Sequence, residues 1–248
     1  MSLWRLKAPP RVRMSGSVTA AGTVVASAAA PSVLGSALVA QKEGEGTASF
    51  SATLGVGTAN ATLLSWVGIR TAIFAGPVTG NNGNTHTQEF SQAFPAPFTT
   101  YTIRGYRCIN AAGTSNHSVS GTKSSGTAEE VTIGLVALSG GSIVDSDISQ
   151  QDNLGAGHTF TSGSVTVTGN ARLICIASGD GDVSATAPTQ TWPGDWTVLQ
   201  SVAYNSTEAP SGHVPLYIAT KEVSTGTHSV NIQVTIDDGL IIGLYAVQ

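Results

Sequence analysis

The 248-residue chain is poor in charge, nearly devoid of cysteine and without any long, purely apolar run, and each shortage excludes something. Charged residues make up 10%, against about 25% in an average soluble domain. A coiled coil or helical bundle with a charged surface is therefore excluded. Disorder normally combines low hydrophobicity with high net charge, and 41% of these residues are hydrophobic. The chain folds. Its two cysteines, Cys108 and Cys175, are too few for the disulfide frame that staples small secreted domains. Each is flanked by strand-like residues (YRCIN, LICIA), so the first reading is two reduced apolar residues and the second a single bridge. No CxxC occurs and neither cysteine has a partner at ligand spacing, so zinc and thiol chemistry lack support. The stretch from Met14 to Gln41 is uncharged and long enough to cross a bilayer, but too polar to do so. Within it, Ser15 to Pro31 imitates a secretion signal, with an A-x-A at Ala26, Ser27 and Ala28. It holds no Leu, Ile or Phe, and we read neither a signal nor a membrane span from it.

Basic residues are scarce in a particular place. Arg5, Lys7, Arg11 and Arg13 put four positive charges on the first 13 residues, which leaves seven basic against 15 acidic residues on the remainder. The body is acidic and the leading segment basic. Nucleic-acid binding calls for a basic face with interleaved aromatics; nothing after Arg13 supplies one, so no nucleic acid is expected as a partner.

What is present in quantity is glycine, 29 residues of it, and short strand-like bursts. From Ala48 onward SFSATL, LLSWVGI, YTIRGYRCI, VTIGLVAL, SVTVTG, RLICIA, VPLYIATKEV, HSVNIQV and LIIGLYAV are separated by Gly, Asn, Pro and Ser clusters. Such punctuation predicts an antiparallel sandwich, and no segment shows sustained helical periodicity. A repeat lies within the pattern. Gly113 to Val119 (GTSNHSV) is answered by Gly226 to Val230 (GTHSV), and Ile133 to Leu138 (IGLVAL) by Ile242 to Val247 (IGLYAV). SFSATL with LLSWVGI likewise matches SVTVTG with RLICIA. The expected fold is all-β: an antiparallel jelly-roll β-sandwich of about eight strands built from two related halves, with an extended N-terminal arm. The arm spans residues 1–30. A single domain spans 31–248, with half-units of about 46–140 and 160–248 joined by GGSIVDSDISQQDNLGAGH.

The segments ATLLSWVGI, the Gly/Asn-rich loop after it, the G-T-x-x-x-V strand pair and GLVALSGGSIVDSD, with Gly194-Asp195-Trp196-Thr197 opening a strand of the second half, carry a likeness. From Pro31 to Gln248 the chain resembles jelly-roll modules of fibre, spike and decoration proteins of tailed phages and phage-like particles, modules also seen in bacterial surface proteins. The resemblance implies a non-enzymatic structural role and brings no catalytic residues.

Chemistry has few footholds. No GxSxG, HExxH or P-loop pattern occurs. Of the histidines, only His117 and His228 recur in both halves, which marks a shared structural place at a strand start. Neighbouring residues on a strand point to opposite faces, so Glu129/Glu130 and Asp237/Asp238 cannot pair across a cleft and read as turn residues. Asp180-Gly181-Asp182 reads first as a turn and second as a weak Ca²⁺ site. Exposed aromatics stack on sugar rings, which makes Trp192, Asp180, Asp182, Asn82, Asn84, His86 and Tyr204 the candidates for glycan contact. Trp196 reads as core.

These readings converge on a virion protein, a tail or head fibre, spike or decoration subunit assembled in the host cytoplasm. It attaches to capsid, portal or tail proteins through Trp4, Arg5, Lys7, Arg11 and Arg13, in an arm that Pro9 and Pro10 keep from forming a helix. It is expected to form a homo-oligomer, a trimer by default, to bind host-surface polysaccharide, and to need no cofactor and no membrane. The alternative is a secreted bacterial carbohydrate-binding or adhesion module. A β-sandwich glycan hydrolase or lyase comes third.

Overall fold

A computed structural model describes residues 28–41, 49–70, 78–94, 101–113, 115–123, 131–152, 158–180, 189–201, 215–234 and 239–248. Every strand pairing among them is antiparallel, and their only helical element is a single 3-10 turn, Asn81–Gly83. No helix among them is long and apolar enough to cross a membrane. The all-β class read from the sequence holds.

The first half contains β1 (Val33–Gln41), β2 (Ser49–Leu54), β3 (Ala61–Arg70), β4 (Thr79–Gly80), β5 (Thr87–Ala93), β6 (Tyr101–Ala111), β7 (His117–Thr122) and β8 (Val131–Leu138). They form a five-stranded sheet in the order β1-β8-β3-β6-β5 and a three-stranded sheet β2-β7-β4. The second half contains β9 (Ile143–Asp152), β10 (His158–Thr161), β11 (Val165–Val167), β12 (Ala171–Asp180), β13 (Gln190–Thr191), β14 (Thr197–Ser201), β15 (Leu216–Val223), β16 (Gly226–His228), β17 (Asn231–Val234) and β18 (Gly239–Val247). Its sheets are β14-β15-β12-β18-β9, β10-β17-β13 and the ribbon β11-β16. Substituting β9 for β1, β10 for β2, β12 for β3, β13 for β4, β14 for β5, β15 for β6, β17 for β7 and β18 for β8 turns one pattern into the other. The halves have one strand order.

Among the described residues eighteen strands are therefore arranged in two stacked sandwiches, where about eight in one sandwich were expected. Each half begins earlier than the repeat suggested. β1 precedes residue 46, and β9 occupies the segment read as a linker. Both are edge strands, each hydrogen-bonded to a single neighbour, so neither needs the continuous apolar pattern that marks an interior strand.

Three clusters fill the stack. One lies within the first half (Phe50, Leu63, Val67, Ile133), one within the second (Phe160, Leu173, Ile232, Leu244), and a third joins the two large sheets (Leu64, Trp66, Ile174, Ile218, Tyr245). The inner sheets are covered on both faces, which removes the polar alternation: every residue of β8 and of β18 is buried. Outer strands keep one wet face. β2 alternates exposed and buried along its whole length, and β17 does the same.

Trp66 sits at the middle of the joining cluster. Its indole N–H donates to the Tyr245 hydroxyl at 2.8 Å across the two halves, and its ring meets Phe90 edge-on at 4.9 Å between centroids. Burial pushes the Tyr245 phenol upward from its ordinary value, and the indole donor partly opposes this. The repeat explains two glycines. A Cβ on Gly243 would lie 2.2 Å from Trp66 Cζ2, and one on Gly134 would lie 2.8 Å from Leu216 Cδ2. The shared glycine of IGLVAL and IGLYAV is thus the position at which each half admits a side chain of the other.

Cys108 and Cys175 are free and buried, the first in the core of the first half and the second in that of the second. Burial raises both thiols above their ordinary range.

At one end of the stack the chain enters β1, turns from β8 to β9 and leaves β18. There Ser139 N–H donates to Ser32 O at 2.9 Å, and Ser142 and Gln248 exchange backbone bonds of 2.7 and 3.0 Å. The far ends of the large sheets also coincide, since Gly239 packs against Phe94.

Three outcomes are expected. Tyr245→Phe, which leaves the Trp66 N–H buried without its acceptor, should lower stability by about 1 to 3 kcal/mol in urea melts. Gly243→Ala should cost a similar amount, about 1 to 3 kcal/mol, through overpacking against Trp66. Native protein should show no rapidly titrating thiol, and denatured protein without reductant should show both.

Candidate functional site

The segment TGNNGNTHT, which joins β4 to β5, buries two polar side chains, Asn84 and His86. The 3-10 turn Asn81–Gly83 reverses the chain through Asn82 (φ 54) and Gly83 (φ 71), left-handed positions that asparagine and glycine tolerate. Asn82 itself points to solvent. The turn is then pinned to the far side of its sheet. Asn81 Nδ2 donates to Asn116 O at 2.8 Å and to Asn116 Oδ1 at 2.7 Å, while Asn81 Oδ1 accepts from Ser118 N–H at 3.1 Å. Asn84 Oδ1 accepts from Ala112 N–H at 2.6 Å.

Behind this corner lie two imidazoles. His86 is only 5% exposed and packs against Gly80, where a Cβ would come within 2.7 Å of its Nε2. His117, at the start of β7, is fully buried, and its Nε2 lies 2.9 Å from Thr58 O. A carbonyl accepts only, so that nitrogen carries a proton. Among the described residues, His117 Nδ1, both ring nitrogens of His86 and Asn84 Nδ2 are buried without a hydrogen-bond partner. Desolvation first, and the neighbouring His117 second, hold the His86 imidazole down at about 4. It is neutral at pH 7.

The corresponding corner of the second half, between β13 and β14, is built of other material. QTWPGDWT makes a turn closed by Trp196 N–H donating to Pro193 O at 3.0 Å. Trp196 is buried as expected, and Trp192 leans on it, partly buried, with ring centroids 5.8 Å apart. Among the described residues the buried Trp192 indole N–H has no hydrogen-bond partner. Asp195 at the tip meets Lys221 at 2.5 Å, and the hydrogen bond from that ammonium holds its carboxyl below the usual range. Two candidate clusters that looked unrelated in sequence, the Asn/His loop and the Trp loop, are one corner of the fold occurring twice.

The remaining candidates do not join them. Asp180 ends β12, paired with Gly239 at the opposite end of the stack, while Asp182 and Tyr204 lie outside the described residues. Among the described residues no group of three or more His, Cys, Asp or Glu side chains is placed to hold a metal ion. Asn84 and His86 face inward, so of the glycan candidates on these corners only Asn82 and part of Trp192 meet solvent. His228 resembles His117 in one respect, with its Nε2 2.9 Å from Ser224 O.

Trp4, Arg5, Lys7, Arg11 and Arg13 lie outside the described residues. The chain comes into view at Ala28, whose carbonyl accepts from Asn170 Nδ2 at 3.2 Å, and Pro31 O accepts from Arg172 Nε at 2.9 Å. It crosses the second half before entering the first. An open groove of about 350 Å³, lined by Ala29, Ala30, Asn170, Glu222, Val223 and Ser224, follows that crossing.

The sequence placed Asn81 in a polar loop with Asn82, Asn84 and His86, but it did not show that Asn116 holds that loop or that His86 lies beside His117. The only signal available was the density of Asn in NNGN and SNH, which marks turns without saying that two turns meet. Asn84→Ala should leave the Ala112 N–H without its acceptor and lower stability by about 1 to 3 kcal/mol in chemical melts, with little change on Asn82→Ala.

No family model matches the sequence, and no curated protein and no solved structure matches it either, so the reading of these corners rests on their own geometry.

Proposed function

We propose that the chain is a non-enzymatic structural subunit of a tailed phage or phage-like particle, a fibre, spike or decoration protein whose two halves are each a jelly roll. The strand order supports the fold assignment: β1, β8, β3 and β6 lie side by side in one sheet and β2, β7 and β4 in the other, and the equivalent strands β9, β18, β12 and β15 with β10, β17 and β13 repeat this order. The observation that carries the role is the placement of the ends. The chain enters beside Asn170 and Arg172 at the end where β18 finishes, and the segments 181–188 and 202–214 begin or end at the opposite one. A subunit held by residues before Ala28 presents its longer connections outward.

The basic arm, with Trp4 as its apolar anchor, docks on an acidic or apolar groove of a particle protein, and the subunit assembles as a homo-oligomer on the virion. Host-surface glycan is the ligand class for the outward end. A second reading, the secreted carbohydrate-binding module, is favoured by one feature: the tilted pair Trp192 and Trp196 with an indole donor left unused.

Sedimentation separates the two. The full chain should pellet with assembled particles, a chain lacking residues 1–13 should stay in the supernatant, and both should melt at the same temperature. Equal pelleting of both chains, or a lower melting temperature for the truncated one, removes the anchoring role. Binding of the free protein to a polysaccharide array that disappears in Trp192→Ala, without particle association, would establish the second reading instead.

A further inference from the structure

The two equivalent corners differ in one respect with a consequence. At the residue just before β5 the first half buries His86, and just before the equivalent strand β14 the second half buries Trp196. Tryptophan cannot take up a proton, and histidine can. The imidazole of His86 packs on Gly80, and neither of its nitrogens has an acceptor or donor among the described residues. Its surroundings are neutral or basic. From β7 it is faced by His117, and the backbone of Gly80 packs against the ring. Burial, and His117 after it, hold down its proton affinity.

An imidazolium at this place would be a buried cation beside a second histidine with nothing to pair it. The only relief is to move the ring to water. That requires the segment from Thr79 to His86 to lift from β7 and from the end of β6, which breaks the bonds of Asn81 to Asn116 and Ser118 and of Asn84 to Ala112. We propose that the β4–β5 corner is an acid-operated latch: proton uptake by His86 opens the first half there while the second half, closed by Trp196, stays shut. The inference stands apart from the particle reading and holds for a protein of any role.

The sign follows from the direction of the shift. The folded corner keeps His86 near 4 and the open corner returns it to about 6.5, so the open state binds the proton more tightly. Closure is therefore at full strength above pH 6.5, weakens as pH falls through that value, and loses nothing further below about 4. The open-to-closed ratio should rise about 30-fold between pH 8 and pH 5.

Amide hydrogen exchange read by mass spectrometry, corrected for intrinsic rates, tests this on the full chain. Peptides covering 79–93 and 111–120 should lose protection between pH 8 and 5, while those covering 190–201 and 226–234 keep theirs. In His86→Phe the loss should vanish. Equal loss at both corners, or an unchanged loss in a folded His86→Phe protein, overturns the latch. Should that variant not fold, the His86 ring signal in a proton NMR titration of the native protein decides: a midpoint well below 6.5 supports the latch, and one at or above 6.5 overturns it.

Discussion

The hydrogen bond from the Trp66 indole to the Tyr245 hydroxyl, made at the centre of an otherwise apolar layer, is the contact around which the two halves are arranged. A bare large sheet would expose a continuous hydrocarbon face, which a monomeric half could not keep in water. Stacking two such sheets covers both, but it also buries the two polar atoms that the large aromatics bring with them. Each satisfies the other. The remaining fit comes from size: Trp66 occupies the space that Gly243 leaves, and Leu216 and Ile218 occupy that of Gly134. One half's glycine is the other half's socket.

Once the middle layers are committed to each other, the outer layers carry whatever distinguishes one half from the other. The strand order is the same on both sides, so the corners before β5 and β14 have the same neighbours in the fold. Their fillings differ in kind. One is a set of amides and imidazoles closed by directional bonds, with several donors and acceptors left over. The other is a pair of indoles closed by contact area and one backbone bond. A hydrogen-bonded filling depends on protonation and an aromatic filling does not, so duplication followed by divergence at one corner is enough to make a chain with one conditional half and one unconditional half.

Residues Ala28 to Ser32 bind both halves, through Asn170 and Arg172 on one side and Ser139 on the other, so tension on the preceding segment is shared across the stack. The ion pairs of Arg172 with Glu222 and of Lys221 with Asp195 sit on the second half and are exposed enough for salt to weaken them. The cores, not the charges, hold the molecule.

The all-β class, the antiparallel pairing and the twofold repeat were legible in the sequence, because alternation and turn residues act locally and a duplicated strand order leaves duplicated segments such as IGLVAL and IGLYAV. Burial of Trp196 was legible for the same reason. The number of sandwiches was not. A strand covered on both faces reads as a plain apolar run, and nothing along the chain says whether its second face meets its own half or another. β1 and β9 went unread because an edge strand with one neighbour tolerates Ser, Asp and Gln. The meeting of His86 with His117, 31 positions later, depends on β4 pairing with β7. That pairing is a long-range choice decided by which faces are left to bury, so only the tertiary structure brought two ordinary histidines together in a buried corner.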